Sequence, residues 1–162
     1  MLPKHWSGEP FSYAGQHFSA REVIARPRPP QQPIPIWIGG NSKLTRRRVA
    51  QRANGWMPML GPDWLFTTAR TAAMSAGEEL AAAIAQLRAD AGDRGAQLDV
   101  SAAYTEPSVH DADTDWGRHR EAIASMAAAG VTWVIVPGQA GTRDSCVAFI
   151  ERFGKEIAGG SG

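Results

Sequence analysis

The sequence predicts an α/β protein built from four consecutive strand–helix units. Three observations carry that expectation. Short β-branched or aromatic runs recur at residues 34–38, 56–59, 98–105 and 131–136. A segment with helical periodicity or capping residues follows each run. Glycines punctuate the junctions, at Gly39, Gly40, Gly55, Gly92, Gly95 and Gly130. Strands alternating with helices pair in parallel through right-handed crossovers, because a twisted strand and its helix pack back on the sheet only that way.

Residues 1–32 form an irregular lead-in anchored by Trp6, Phe11, Tyr13 and Phe18, with room for one short strand at Val23 and Ile24. Arg26 to Pro33 is proline-rich and reads as extended, since each proline fixes φ and restricts the residue before it. Such a run also suits an SH3-type ligand, but here it leads directly into a strand. That strand is Ile34, Ile36, Trp37 and Ile38. Gly39 and Gly40 stop it, and Asn41 or Ser42 caps a helix over 43–53. Free backbone N–H groups and the positive helix end then converge on one spot, which is an anion-binding design. The plain alternative is a strand–helix turn without a ligand. Leu44, Val49 and Ala53 supply the inner side of this helix. Arg46, Arg47 and Arg48 read as a solvated face, with anion contact by one of them as the second reading.

Asn54-Gly55 closes the first helix, and Trp56 to Met59 is the second strand. A short helix spans 62–74. Ser75 and Glu78 match a capping box for a helix reaching Ala91, with Leu80, Ala83, Ile84 and Leu87 inward. The third strand runs over 98–105, and Pro107 with residues 108–114 forms a loop. A helix over 115–128 ends at Gly130, and 131–136 is the strongest strand signal in the chain. A final helix over 143–158 places Cys146, Phe149, Ile150, Phe153 and Ile157 on its inner face. Residues 33–158 are thus the body, and 159–162 a disordered tail. Spacing alone allows a small open sheet or half of a (β/α)₈ barrel.

Composition narrows the function classes. At 162 residues the chain has room for about one domain. Net charge is +1, from 17 basic and 16 acidic residues, which gives no reason to expect nucleic acid or an anionic membrane. One cysteine, Cys146, excludes an internal disulfide and a cysteine-built metal site and fits a reducing cytosol. The N-terminus lacks the apolar core of a signal peptide, and no apolar run reaches the roughly 18 residues that span a bilayer. The expectation is a soluble cytoplasmic protein.

An ordered set of motifs is more specific than the periodicity. Trp6-x-Gly8, Gly15-x-x-Phe18, Pro27-x-Pro29, Pro35 to Ser42, Arg47-Arg48-x-Ala50, Gly55-Trp56-x-Pro58 and Ala129-Gly130-Val131 follow one another along nearly the whole chain. Together they resemble the C-terminal half of luciferase-like monooxygenases, with the deazaflavin (coenzyme F420)-dependent oxidoreductases as the nearest branch. The resemblance implies strands five to eight of a (β/α)₈ TIM barrel. It also implies that Gly39, Gly40, Asn41, Ser42 and Thr45 contact the phosphate of F420 or, alternatively, FMN. The family's usual Asp-Gly-Trp is Asn54-Gly55-Trp56 here. Family chains are about twice as long, and the group that usually serves catalysis lies in strands one to four, for which this sequence shows no counterpart. A truncated member, a fragment or one part of a split barrel is the resulting expectation.

The remaining candidates are weaker. Glu106 at a strand end suits a polar pocket residue, a general acid or a solvated loop carboxylate, the last being the plainer reading. Trp56 suits ring stacking or the packed barrel wall. His5, His17, His110 and His119 have no metal-ligand spacing and read as surface or loop residues, and Cys146 reads as core. No metal is expected, and no catalytic residue can be named. The two functions in view are an F420- or FMN-dependent oxidoreductase or monooxygenase acting on an unidentified small molecule, and a non-catalytic half-barrel that persists by association. The second arises because a cut barrel exposes two strand edges, which invites a homodimer or pairing with a separate N-terminal half.

Overall fold

The computed structural model describes residues 2–138 and 141–159. They fall into two compact units divided between Ile36 and Trp37. The first holds a short helix, α1 (Leu2–Trp6), and an antiparallel hairpin of β1 (Phe11–Ala14) and β2 (Ser19–Val23). Two strands stand where the sequence suggested one. Gly15 donates its N–H to the Phe18 carbonyl at 3.0 Å and closes the hairpin turn, a cue hidden by the lack of alternating apolar residues. The proline run is bent rather than extended, with cis bonds before Pro27 and Pro33. Gln32 ties it down by donating from Nε2 to the Trp6 carbonyl at 2.7 Å.

The second unit carries four strand–helix repeats. Its elements are β3 (Trp37–Gly39), α2 (Lys43–Arg52), β4 (Gly55–Met57), α3 (Asp63–Ala69), α4 (Glu78–Asp90), β5 (Asp99–Ala103), α5 (Trp116–Ala128), β6 (Trp133–Ile135) and α6 (Arg143–Phe153). The four strands are parallel and lie in sequence order, β3-β4-β5-β6. That is the predicted α/β architecture.

The register divides the sheet into two faces. Ile38, Trp56, Val100, Ala102 and Val134 share one face and pack with Val49, Ala53, Leu80, Ile84 and Leu87 of the helices. Trp37, Gly39, Gly55, Met57, Ser101, Ala103, Trp133 and Ile135 share the other. Within the second unit no described helix covers that second face, where Trp133 is 57% and Ile135 46% exposed although Ser101 is buried. Trp37 and Trp133 reach toward each other across it, ring centroids 6.0 Å apart. Gly55 makes this arrangement possible, because a Cβ there would stand 2.7 Å from Cδ1 of Trp37.

Several boundaries moved for identifiable reasons. The first strand begins at Trp37, not Ile34, since Pro33 and Pro35 have no N–H for the ladder. β6 is three residues long, because the Thr132 hydroxyl takes the Val100 N–H at 2.9 Å in place of a backbone carbonyl. The capping box is displaced. Gly77 at φ +82 interrupts the path, α4 starts at Glu78, and Glu79 instead accepts the Ser75 N–H at 2.8 Å and its hydroxyl at 2.7 Å. Leu44 is 55% exposed, because five residues before Val49 is about 140° around a helix and not the same face. Ile150 is 66% exposed and α6 has no fully buried residue, for nothing in the described chain packs beyond it. A π-helical turn (Gly154–Ala158) extends α6. Of the predicted tail, residues 160–162 lie outside the described residues.

Arginines finish the helix ends. Arg94 donates to the carbonyls of Ala50, at 2.7 Å, and Ala53, satisfying the last turn of α2.

Candidate functional site

Gly39 to Ser42 form the turn from β3 into α2. Gly40 sits at φ +109, a conformation that side chains resist, and its N–H extends the ladder to the Met57 carbonyl at 3.1 Å. Ser42 is the cap: its Oγ accepts the Thr45 N–H at 3.0 Å and lies 2.9 Å from the Thr45 hydroxyl. Lys43 and Leu44, first and second in the helix, have no intrahelical acceptor for their N–H groups. Gly39 carries no structural demand for glycine, since a Cβ there would meet only the Met57 carbonyl oxygen, at 3.8 Å. The turn therefore combines two hydroxyls, two open N–H groups and a positive helix end.

Asn41 is held differently from its neighbours. It is 2% exposed, and its amide donates to the carbonyls of Met59 and Ala72, each at 2.8 Å, while its Oδ1 accepts the Met59 N–H at 2.8 Å. Its own N–H goes to the Thr71 hydroxyl at 2.8 Å. The side chain thereby ties the turn to the loops on either side of α3. Thr71 was not legible in the sequence, because it stands 30 positions away and carries no motif.

The arginine triplet separates. Arg47 and Arg48 are exposed, whereas Arg46 folds back, donates to the Asn41 carbonyl and lies over the Trp56 ring at 5.9 Å to its centroid. Trp56 is fully buried on the helix-covered face, and its Nε1 donates to the Gly40 carbonyl at 2.8 Å. It belongs to the wall of the sheet.

A second polar cluster lies beyond β5. His119 is 1% exposed rather than a surface residue, with Nδ1 2.6 Å from the Tyr104 hydroxyl and Nε2 2.6 Å from the Thr114 hydroxyl. Tyr104 continues the buried face of Val100 and Ala102, so this chain of three points into the helix layer. Glu106 is ion-paired with Arg118 at 2.7 Å and accepts the Ser108 hydroxyl at 3.2 Å. Cys146 is half-buried beside a cleft under α6. Among the described residues no group of His, Cys, Asp and Glu could hold a metal ion, and no helix is long and apolar enough to cross a membrane.

The Tyr104 phenol is held above its ordinary value of 10.0, first by burial and then by the Glu106 charge, with Arg118 opposing. The unfolded chain therefore releases this proton at lower pH than the folded one. Its contribution is complete below about pH 10 and is lost as pH rises beyond that. Urea midpoints measured between about pH 9 and 11 should fall more steeply for the native chain than for Tyr104→Phe. Parallel slopes would show that Tyr104 does not contribute.

A family model for luciferase-like monooxygenases matches residues 1–133. The chain belongs to that family. Among solved structures, a coenzyme F420 dependent tetrahydromethanopterin reductase from Methanopyrus kandleri is similar, with a TM-score of 0.65 and 16% identity. The match covers 98% of this chain and 60% of that one. At such identity the likeness establishes the fold, and the four strand–helix units are those of a half barrel of the luciferase type. No curated protein sequence matches the chain.

Proposed function

We propose that this chain is the cofactor-holding part of an oxidoreductase of the luciferase-like family. The carrying observation is the Gly39–Ser42 turn, whose donors all lie at one helix end: the N–H groups of Lys43 and Leu44 and one proton of the Ser42–Thr45 hydroxyl pair, the other being held between the two oxygens. This donor set suits the phosphate of a flavin-type cofactor, because it offers hydrogen bonds and positive charge without a metal. Gly39 leaves the approach open on the uncovered sheet face. Coenzyme F420 is the first candidate, in keeping with the Methanopyrus neighbour, and FMN the alternative. Bound there, either group supplies hydride or oxygen chemistry, while the protein orients it. Asn41 acts behind the site and sets the turn.

The test is a fluorescence titration with F420 and, in parallel, FMN. Gly39→Ala is the informative variant, since the fold accommodates its methyl group. It should leave the melting temperature unchanged or slightly raised while cofactor affinity falls about tenfold, the equivalent of about 1.4 kcal/mol. Ser42→Ala should weaken binding and lower stability together, by about 1 kcal/mol for the lost cap. Failure of the native chain to bind either cofactor would refute the reading.

The uncovered sheet face favours a second reading, a half-barrel that persists through association, as a homodimer or with a separate N-terminal half. Trp133, Ile135 and Met57 expose apolar surface there, and the edges of β3 and β6 are unpaired within the described sheet. Light scattering should then give a dimer mass that Ile135→Asp reduces to a monomer. A native chain that is monomeric and stable would rule out self-association.

A further inference from the structure

We propose that the cleft between residues 109–112 and α6 binds a small aromatic anion. This site is separate from the Gly39–Ser42 turn, and the inference does not rest on the cofactor reading. The cleft has a volume of about 450 Å³. That lies within the roughly 300–1,000 Å³ of small-molecule sites. Its walls are apolar, built from Val109, Val136, Phe149 and Ile150. The His110 ring packs on Phe149 at 4.5 Å between centroids, so one wall is a continuous aromatic surface suited to a flat ring.

The charge at this cleft selects the sign of the ligand. Arg152 is the one formally charged side chain among the described lining residues. Its guanidinium is fixed in place, donating to the Asp111 carbonyl at 3.3 Å and the Ala112 carbonyl at 2.7 Å and lying 5.0 Å over the Trp116 ring. Neither ion pair found among the described residues involves it. A guanidinium has five N–H groups, and those two bonds leave donors for a carboxylate or sulfonate. Ser145 and Cys146, in the first turn of α6, line another part of the cleft and bring the positive helix end to it. An apolar aromatic body with one anionic group satisfies both halves of this surface, whereas a cation would be repelled by the Arg152 guanidinium.

The experiment titrates the native chain with anilinonaphthalene sulfonate and, separately, with its uncharged counterpart N-phenylnaphthylamine, following dye fluorescence. Ile150 is exposed at the cleft, so Ile150→Glu adds a negative charge without disturbing the core. Arg152→Gln removes the cation, and Phe18→Glu, on an exposed apolar residue of the first unit, is the control. The native chain should bind the sulfonate saturably. Ile150→Glu and Arg152→Gln should each weaken it about tenfold, Arg152→Gln should leave the neutral dye's affinity intact, and Phe18→Glu should change nothing. Equal sulfonate affinity in the native chain and all three variants would overturn the proposal. So would an equal loss of both dyes in Arg152→Gln, which would mean that Arg152 only shapes the cleft.

Discussion

Replacing Asn41 by alanine is expected to destabilise the second unit by about 2–4 kcal/mol, a large part of a typical total of 5–15. The side chain closes three hydrogen bonds of 2.8 Å in a nearly solvent-free position. Truncation leaves the Met59 N–H and the carbonyls of Met59 and Ala72 without their partner. An unpaired buried group costs about 1–3 kcal/mol, more than the net gain of forming the bond. Asn41→Asp should not rescue it, because a carboxylate would face two carbonyl oxygens with no proton to donate. Urea unfolding would show a lower midpoint at unchanged slope. The family resemblance would have Asn41 touch the phosphate, and the same variant separates the two roles. Full stability with lost cofactor affinity would make Asn41 a ligand contact and refute the tie described here.

Trp56→Ala is expected to be of similar or greater severity, about 3–5 kcal/mol for a large aromatic emptied from a core. Trp56 is completely buried among Val49, Ala53, Leu80 and Val100, and no exposed edge would let the neighbours collapse cheaply. The loss should lower the melting temperature by about 10 °C in a domain of this size. Trp56→Phe isolates the polar part. It keeps a ring in the core but leaves the Gly40 carbonyl without the indole N–H, so it should cost about 1–2 kcal/mol and loosen the turn itself. A Phe variant as unstable as the Ala variant would mean that shape, not the Gly40 bond, governs this residue.

These two residues show where sequence reading stops. The Gly39-Gly40 turn and its cap at Ser42 were legible because the signals are local: strand-stopping glycines, a hydroxyl one residue before a helix, and a positive helix end. The same locality misled elsewhere. The four histidines look alike for lack of spacing, yet His119 is sealed between Tyr104, just past β5, and Thr114, just before α5. Ile150 falls on an apolar stripe whose spacing points inward, but a stripe says only which residues would be buried if something lay against them.

The sequence by itself determined the strand–helix alternation, the parallel order and the family, since these follow from short-range propensity, glycine and proline placement and an ordered set of motifs. Tertiary structure alone decided that Asn41 is a structural tie, that Thr71 joins the turn and that Arg152 holds its charge beside an aromatic wall. It also decided that one face of the sheet carries no described helix of its own unit. The physical reason is common to all four: burial and partner choice depend on which groups meet across tens of residues, and a linear pattern carries no record of that distance.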